Sequence, residues 1–182
     1  MASIELGEDY PEIRESVRRI CADFPNEYWR KLDEAEAYPK EFVDALTKAG
    51  YLAALIPEEY GGAGLPLRAA GVVLEECHAA GCYAAAAHAQ MYTMGSVLRH
   101  GSPEQKARYL PGIASGALRL QAFGVTEPTT GTDTTKLKTR AVLVKSGAGD
   151  YYEITGQKVW TSRALHSDLM LLLARTTPLA EV

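Results

Sequence analysis

The sequence predicts an α+β fold in which an all-α helical domain precedes a group of strands. Two observations support this order. Up to about residue 116, apolar side chains recur every three or four positions in stretches separated by glycine and proline, which is the period of a helix. Beyond that point the stretches are shorter, richer in β-branched residues, and bounded by turn residues. We therefore expect a helical domain at residues 1–116 and a partial β-domain at residues 117–182.

Composition and charge limit the classes of protein to which this chain can belong. An apolar fraction of 47% with 23% charged residues is typical of a soluble globular protein. A net charge of −4 argues against a nucleic-acid partner or an anionic membrane surface. The longest purely apolar run, residues 169–174, is far too short to span a bilayer. The start of the chain lacks the features of a signal or transit peptide, so we expect a cytoplasmic location, or the mitochondrial matrix if a transit peptide has been removed.

Five helices are expected in the first domain. The last has the clearest start, because Ser102 is placed to cap it, Pro103 occupies its first position and Gln105 completes a capping box. Gly116 then ends it. The glycine-rich residues 61–64 match no nucleotide-binding pattern and are interpreted as a connector. The expected helices are residues 8–23, 39–50, 66–80, 83–99 and 102–116, with a charged connector at residues 27–38.

Three groups of side chains in these helices could carry chemistry, but each has a simpler interpretation. Glu75 and Glu76 point about 100° apart on a helix, so we interpret them as helix-surface or pocket-rim carboxylates rather than an acid/base pair. Met91 and Met94 lie on an alanine-rich helix that either packs closely or lines a channel. Three cysteines without a Cys-x-x-Cys motif are expected to be reduced, buried or half-buried, and not to bind a metal. These cysteines are Cys21, Cys77 and Cys82.

The second domain is expected to contain five strands, and the first of them enters a loop of hydroxyl side chains around Gly131. Backbone N–H groups and short threonine hydroxyls in such a loop can hold an anionic or carbonyl-rich ligand, and glycine lets the backbone approach it closely. Taken alone, the same string is equally typical of a threonine-rich surface turn. The expected strands are residues 118–125, 137–145, 151–155, 157–162 and 168–175.

Two motifs in this domain carry a resemblance to a known family. The first is Thr126-Glu127-Pro128-Thr129-Thr130-Gly131-Thr132-Asp133, and the second is Gly156-Gln157-Lys158-Val159-Trp160-Thr161-Ser162. They resemble the two flavin-binding signatures of the acyl-CoA dehydrogenase family, which are Thr-Glu-Pro with two small residues and Gly-Ser-Asp, and Gly-x-Lys-x-Trp-x-Thr. A Pro-Glu-x-x-Gly-Gly-x-Gly connector at residues 57–64 also matches. The resemblance covers nearly all of the sequence, which corresponds to about the first half of a family chain.

The resemblance implies FAD as the cofactor and assigns residues to it. The backbone of residues 123–126 is expected at the isoalloxazine, with the Thr126 N–H and hydroxyl at its pyrimidine side. Gly131 and Thr132 correspond to loop positions that approach the flavin pyrophosphate and the acyl-CoA. Trp160 corresponds to a residue that packs near the ring, and Ser162 places a hydroxyl at the N5 region. The full set of cofactor residues is Phe123, Val125, Thr126, Gly131, Thr132, Trp160, Thr161 and Ser162, of which Thr132 is also expected to contact the substrate.

Three positions depart from the family pattern. Ser162 replaces a threonine, Thr161 stands where an aliphatic residue is common, and Thr132 replaces a serine. A hydroxyl is kept wherever the pattern needs one, so these departures do not contradict flavin binding. Two structural alternatives stay open, in which Trp160 is a core residue and Ser162 belongs to a turn at the end of a strand.

The resemblance implies FAD-dependent α,β-dehydrogenation of an acyl-CoA thioester. It also implies that the strands begin an antiparallel, β-barrel-like domain. In the family the catalytic base comes from a carboxy-terminal helical bundle without a counterpart here, so no catalytic residue is assigned and the isolated chain is expected to be inactive. Expected partners are acyl-CoA, an electron-transfer flavoprotein and further copies in a homo-oligomer such as a homotetramer. The alternatives are an acyl-CoA oxidase or flavin hydroxylase on the same scaffold, and a non-catalytic chain that acts by association.

Overall fold

The computed structural model describes residues 9–178 and residue 181, and this part of the chain forms six α-helices followed by four strands. The helices precede the strands, so the α+β order expected from the sequence is confirmed. The helices are α1 (Pro11–Ala22), α2 (Asn26–Glu34), α3 (Lys40–Lys48), α4 (Leu67–Ala79), α5 (Ala85–His100) and α6 (Pro103–Ser115). The strands are β1 (Leu120–Gly124), β2 (Arg140–Val144), β3 (Tyr151–Thr155) and β4 (Leu169–Leu172).

Local signals mark helix ends where the sequence predicts them. The Gln105 N–H donates to the Ser102 hydroxyl at 3.2 Å, and the Ser102 N–H donates to the Gln105 side chain at 2.9 Å, which confirms the capping box. Gly50 and Gly116 follow α3 and α6 with φ values of 82° and 80°. Glycine adopts this left-handed conformation without the steric penalty that a side chain brings.

The charged segment expected as a connector at residues 27–38 is largely a helix, α2, so that expectation was wrong. No residue of α2 is fully buried, and aromatic rings hold the helix in place. The Tyr28 ring lies 5.0 Å from Phe24, and the Trp29 ring lies 5.0 Å from Phe42 of α3, both edge to face. Two aromatic residues replace the repeated aliphatic stripe from which a helix is normally recognised in a sequence.

The strands form two separate pairs. β2 and β3 are antiparallel, with Val142 opposite Glu153, as expected for a hairpin. β1 and β4 are parallel, with Phe123 opposite Leu171. Parallel neighbours need a long connection, and the loop, the hairpin and the second motif all lie between these two strands. The pairing is therefore mixed, and within the described residues the strands do not close into a barrel.

The segment expected as a strand at residues 157–162 is not a strand. Its Val159 N–H donates to the Thr126 carbonyl at 2.9 Å. The next residue, Trp160, has a φ of 59°, which lies in the left-handed region and interrupts an extended backbone. The segment therefore contacts the Thr-rich loop without forming a ladder with it.

The two parts of the chain share a hydrophobic core. Leu120 of β1 packs in one cluster with Leu110 and Ile113 of α6. Met94 of α5 lies in the same cluster and is fully buried, so it packs in the core and does not line a channel. The Thr93 hydroxyl donates to the Leu120 carbonyl at 2.5 Å. These contacts hold β1, the strand that leads into the Thr-rich loop, against the helices.

Of the other candidate groups in the helices, Glu75 is exposed, as expected for a helix-surface carboxylate, whereas the rest are buried. Glu76 is buried, and its carboxylate accepts hydrogen bonds from Arg14 at 3.3 Å and from Arg18 at 2.5 Å. It is an interior ion-pair partner, so its interpretation as a surface or pocket-rim carboxylate was wrong. The three cysteines are buried free thiols, as expected, and Met91 is buried as well. The cysteines are Cys21, Cys77 and Cys82.

The described residues include neither a membrane-spanning helix nor a cluster of metal ligands. None of their helices is both long enough and apolar enough to cross a membrane. Within residues 9–178 and 181, no three histidine, cysteine or acidic side chains are grouped so that they could hold a metal ion.

Candidate functional site

The Thr-rich loop follows β1 directly and is folded by its own backbone. The Glu127 N–H donates to the Thr130 carbonyl at 3.0 Å, and the Thr130 N–H donates to the Glu127 carbonyl at 3.2 Å. The Thr130 hydroxyl is used inside the loop, where it donates to the Lys136 carbonyl at 3.3 Å. Gly131 and Thr132, just beyond this turn, are exposed, so a ligand can reach them.

Glu127 is buried within this loop and surrounded by hydrogen-bond donors. Its carboxylate accepts from the Lys158 ammonium at 2.9 Å and from the backbone N–H groups of Lys138 and Thr139 at 2.6 and 2.8 Å. Burial alone would raise the pKa of Glu127. The nearby Thr139 hydroxyl, the two N–H groups and the Lys158 charge outweigh burial and lower this pKa from 4.5 to about 2. Glu127 is therefore an ionised carboxylate whose oxygens are occupied by protein donors.

The second motif lies directly against the first. Besides its bond to Glu127, the Lys158 ammonium donates to the Val125 carbonyl at 3.0 Å. The Val159 N–H donates to the Thr126 carbonyl at 2.9 Å. The two motifs meet although Glu127 and Lys158 are 31 positions apart in the chain. The structure thus brings the cofactor candidates Val125 and Thr126 next to the segment that carries Trp160 and Thr161.

Gly156, the first residue of the second motif, packs against the segment that enters β2. A Cβ atom at Gly156 would lie 2.4 Å from the Thr139 hydroxyl oxygen and 2.7 Å from the Thr139 Cα. The Thr139 hydroxyl is buried and lies close to Glu127, but it forms no well-oriented hydrogen bond with any described residue. Only glycine permits so close an approach of the two backbones.

Trp160 is 87% exposed, so the alternative in which it is a core residue is wrong. Its left-handed φ of 59° is rare for a bulky side chain and is a form of backbone strain. An exposed indole on a strained backbone is available to stack on a planar ligand. Ser162 is exposed in the turn that follows, and the partly buried Thr161 lies between them.

Several hydroxyls near the two motifs have no protein partner in the described part of the chain, and such groups are needed to hold a flavin. The hydroxyls of Thr126, Thr132 and Ser162 bond to none of the residues that the structure describes, in contrast to that of Thr130. A Cβ at Gly131 would meet no atom within 4 Å, so the space beside that backbone is open. Free hydroxyls, an open glycine and an exposed indole match a cofactor with a polar ring edge, a pyrophosphate and a planar ring system. The residues present therefore fit FAD.

Phe123 lies on β1, apart from the contacts between the two motifs. It is 37% exposed and its ring lies 5.5 Å from that of Tyr92 on α5. It borders an apolar groove of about 420 Å³ between α5, α6 and β4. Other residues that line the groove are Val97, Tyr109, Leu171, Leu172 and Leu173.

The sequence interpretation missed the contact between Glu127 and Lys158. It assigned only uncharged residues to the cofactor and gave no role to Glu127 of the first motif or to Lys158 of the second. A signal was present, because one motif carries an acid and the other a base. Spacing alone does not reveal that two such residues meet, since the intervening hairpin decides how the chain returns.

The structure shows a helical domain followed by strands, with a loop of hydroxyl side chains after β1, and comparison with known proteins identifies its relatives. The acyl-CoA dehydrogenase N-terminal domain matches residues 7–117, and the acyl-CoA dehydrogenase middle domain matches residues 122–181. The chain belongs to the acyl-CoA dehydrogenase family. The resemblance noted in the two motifs is therefore confirmed.

Similar proteins are longer than this chain. It is 34% identical over 176 residues to cyclohex-1-ene-1-carbonyl-CoA dehydrogenase of Syntrophus aciditrophicus, a match that covers 96% of this chain and 41% of the relative. Acyl-CoA dehydrogenase from Geobacillus kaustophilus has a similar structure, with a TM-score of 0.83, 26% identity, and coverage of 97% and 46%. The ChsE4-ChsE5 complex from Mycobacterium tuberculosis matches with a TM-score of 0.79, 30% identity, and coverage of 100% and 45%. The chain thus spans less than half the length of each of these proteins.

Proposed function

We propose that this chain supplies part of the FAD site of an enzyme that carries out α,β-dehydrogenation of an acyl-CoA thioester. Family membership supports an oxidoreductase that acts on acyl-CoA compounds. The observation that carries the proposal is the contact between the two motifs, which lies beside hydroxyls that no described residue uses. FAD, when bound, accepts the hydride that leaves the β-carbon of the acyl group.

Each candidate residue has a proposed task in that site. The Thr126 hydroxyl and N–H hold the pyrimidine edge of the flavin, and the Ser162 hydroxyl lies at the N5 region. Gly131 lets the loop backbone approach the pyrophosphate, and Thr132 lies beside both cofactor and substrate. Trp160 covers one side of the ring. The remaining cofactor residues, which border these contacts, are Phe123, Val125 and Thr161.

Removal of the α-proton needs a base, and we assign none among the described residues. Glu127 is unsuited to this task, because a carboxylate with a pKa of about 2 is a weak base and its oxygens already accept protein hydrogen bonds. Its place in the site is therefore structural.

Partners, compartment and domain boundary complete the proposal. We propose acyl-CoA as substrate, an electron-transfer flavoprotein as electron acceptor, assembly as a homo-oligomer such as a homotetramer, and a cytoplasmic or mitochondrial-matrix location. Association with other chains is supported by the similarity to a protein solved as a complex. We place the boundary between the helical domain and the β-domain at residues 116 and 117, where α6 has ended and β1 has not begun.

Purification of the natural gene product, with its mass determined, tests the proposal. We expect a flavin absorption spectrum, and reduction of an artificial dye that depends on an acyl-CoA. Slow reoxidation by oxygen would support a dehydrogenase, whereas rapid hydrogen peroxide formation would support an oxidase. A protein that takes up no FAD when the cofactor is supplied would contradict the proposal and favour a chain that acts by association.

A further inference from the structure

We propose that Glu127 and Lys158 are positioning residues whose buried ion pair fixes the two flavin-contacting motifs relative to each other. FAD affinity and the surroundings of the bound flavin then depend on this pair. The inference rests on the proposed function, since it concerns how FAD is held.

The geometry of the Lys158 ammonium is the first support. It donates to the Glu127 carboxylate at 2.9 Å and to the Val125 carbonyl at 3.0 Å. Thr126, the proposed flavin ligand, lies between these two acceptors in the chain. One charged group therefore bonds to the backbone of the residue before Thr126 and to the side chain of the residue after it.

The pair also controls the second motif. Val159, directly after Lys158, donates its N–H to the Thr126 carbonyl, and Trp160 follows. A shift of Lys158 would move this main-chain contact and the indole with it. The left-handed Trp160 is strained and needs neighbouring contacts to keep its conformation. The hydrogen bond from the preceding residue, Val159, to Thr126 is such a contact.

The carboxylate ties a third segment to the pair. Glu127 accepts the N–H groups of Lys138 and Thr139, which precede β2. Thr139 in turn packs against Gly156, two positions before Lys158. The loop, the entry to β2 and the second motif thus all meet at the Glu127 carboxylate.

Neither side chain can reach a ligand directly. The Lys158 and Glu127 side chains are only 9% and 3% exposed. They therefore act on the cofactor through Thr126 and Trp160. Removing one charge leaves the other buried without a partner, which is strongly unfavourable, so a test must separate lost stability from lost positioning.

Four variants of the intact protein make that separation. Lys158→Met removes the ammonium, and Lys158→Arg keeps a positive donor. The double variant Glu127→Gln/Lys158→Met removes both charges, so no buried charge is unpaired. Lys145→Met is the matched control, because Lys145 also pairs with a carboxylate of this region, that of Asp150, but is exposed. For each, thermal unfolding of the apoprotein, the FAD Kd by flavin-fluorescence titration and the absorption spectrum of bound flavin are measured.

We expect Lys158→Met to raise the FAD Kd roughly 10- to 100-fold, because the charge-assisted hydrogen bonds that position Thr126 are lost, and to alter the flavin spectrum. Lys158→Arg should restore most of the affinity and the wild-type spectrum. The double variant should regain unfolding temperature but keep a weak FAD Kd, because the link between the motifs is still missing. Lys145→Met should match wild type in all three measurements.

The opposite results would overturn the inference. If Lys158→Met or the double variant bound FAD with the wild-type Kd and spectrum, the pair would not position the site. If affinity returned together with stability in the double variant, the pair would have a purely structural role. Should Lys158→Met fail to fold, the double variant decides. A wild-type protein that bound no FAD would contradict the proposed function itself, whereas normal wild-type binding with unaffected variants would contradict this inference alone.

Discussion

The Lys158 ammonium lies 2.9 Å from a carboxylate oxygen of Glu127, and both groups are buried. The two residues come from different motifs, and the residues assigned to the flavin are other members of the same motifs. The pair therefore explains why an acid and a base accompany the threonines, the glycines and the tryptophan. It also gives the stability of this region a dependence on pH.

Comparison of the wild type with Glu127→Gln should reveal that dependence of stability on pH. The pKa of Glu127 is about 2 in the folded protein, against an ordinary value of 4.5, so folding favours its ionised form. Its contribution to the free energy of unfolding is complete above about pH 4.5 and is lost as the pH falls towards about 2. Urea unfolding at several pH values should therefore show the wild type and Glu127→Gln converging across this window. A difference that stayed constant from pH 5 to about 2 would contradict the depressed pKa.

Thr126→Val combined with Ser162→Ala should weaken FAD binding. Both hydroxyls are free of protein partners in the described residues, so their loss should leave the apoprotein stable. Each hydroxyl should contribute about 1 kcal/mol to FAD affinity, measured by flavin-fluorescence titration. Thr129→Val is the matched control, because Thr129 is an exposed threonine of the same loop without a proposed ligand contact. Wild-type FAD affinity and spectrum in the double variant would show that the assignment is wrong.

Gly131→Ala should separate folding from ligand binding. The added Cβ meets no atom within 4 Å, and Gly131 does not have a left-handed φ. The free energy of unfolding should therefore be unchanged or higher by at most about 1 kcal/mol. FAD affinity should fall, because the methyl group would occupy the space proposed for the pyrophosphate. Calorimetry and FAD titration of the same preparation measure the two effects. Unchanged FAD affinity would remove Gly131 from the site.

Thr132→Ile should impair use of the substrate or the cofactor. Thr132 is exposed beside the open glycine, so a larger side chain fits the apoprotein but projects into the proposed ligand space. We expect a higher acyl-CoA KM or a lower FAD content, determined by steady-state kinetics and absorbance. Thr132→Ser keeps the hydroxyl at a smaller size and should behave like the wild type. An isoleucine variant with unaltered KM and FAD content would exclude this position.

Gly156→Ala should destabilise the protein without a change of charge. The new Cβ would lie 2.4 to 2.7 Å from atoms of Thr139, including backbone, so the chain has to move. A loss of about 1–3 kcal/mol in unfolding free energy is expected from denaturant titration. Gly147→Ala is the control, because a Cβ there meets nothing within 4 Å. Equal stability of the two variants would mean that the close contact of Gly156 is not required.

The accuracy of the sequence predictions follows the range of the interactions involved. The capping box of Ser102 and Gln105 involves residues three positions apart, and it was recognised correctly. The helix α2 was missed because its contacts are made by two aromatic rings that pack on other helices. Glu76 looked like a surface carboxylate because the arginines that surround it come from α1.

Local sequence signals account for the helix ends, the β2–β3 hairpin and the two motifs through which the family was recognised, since each depends on neighbours within a few positions. Contacts between distant residues account for the rest. The parallel pairing of β1 with β4, the meeting of Glu127 with Lys158 and the exposed, left-handed Trp160 all require the chain to return across a long connection. Which residues meet there depends on the packing of Leu120 and its neighbours against the helices, and no local period in the sequence encodes that packing.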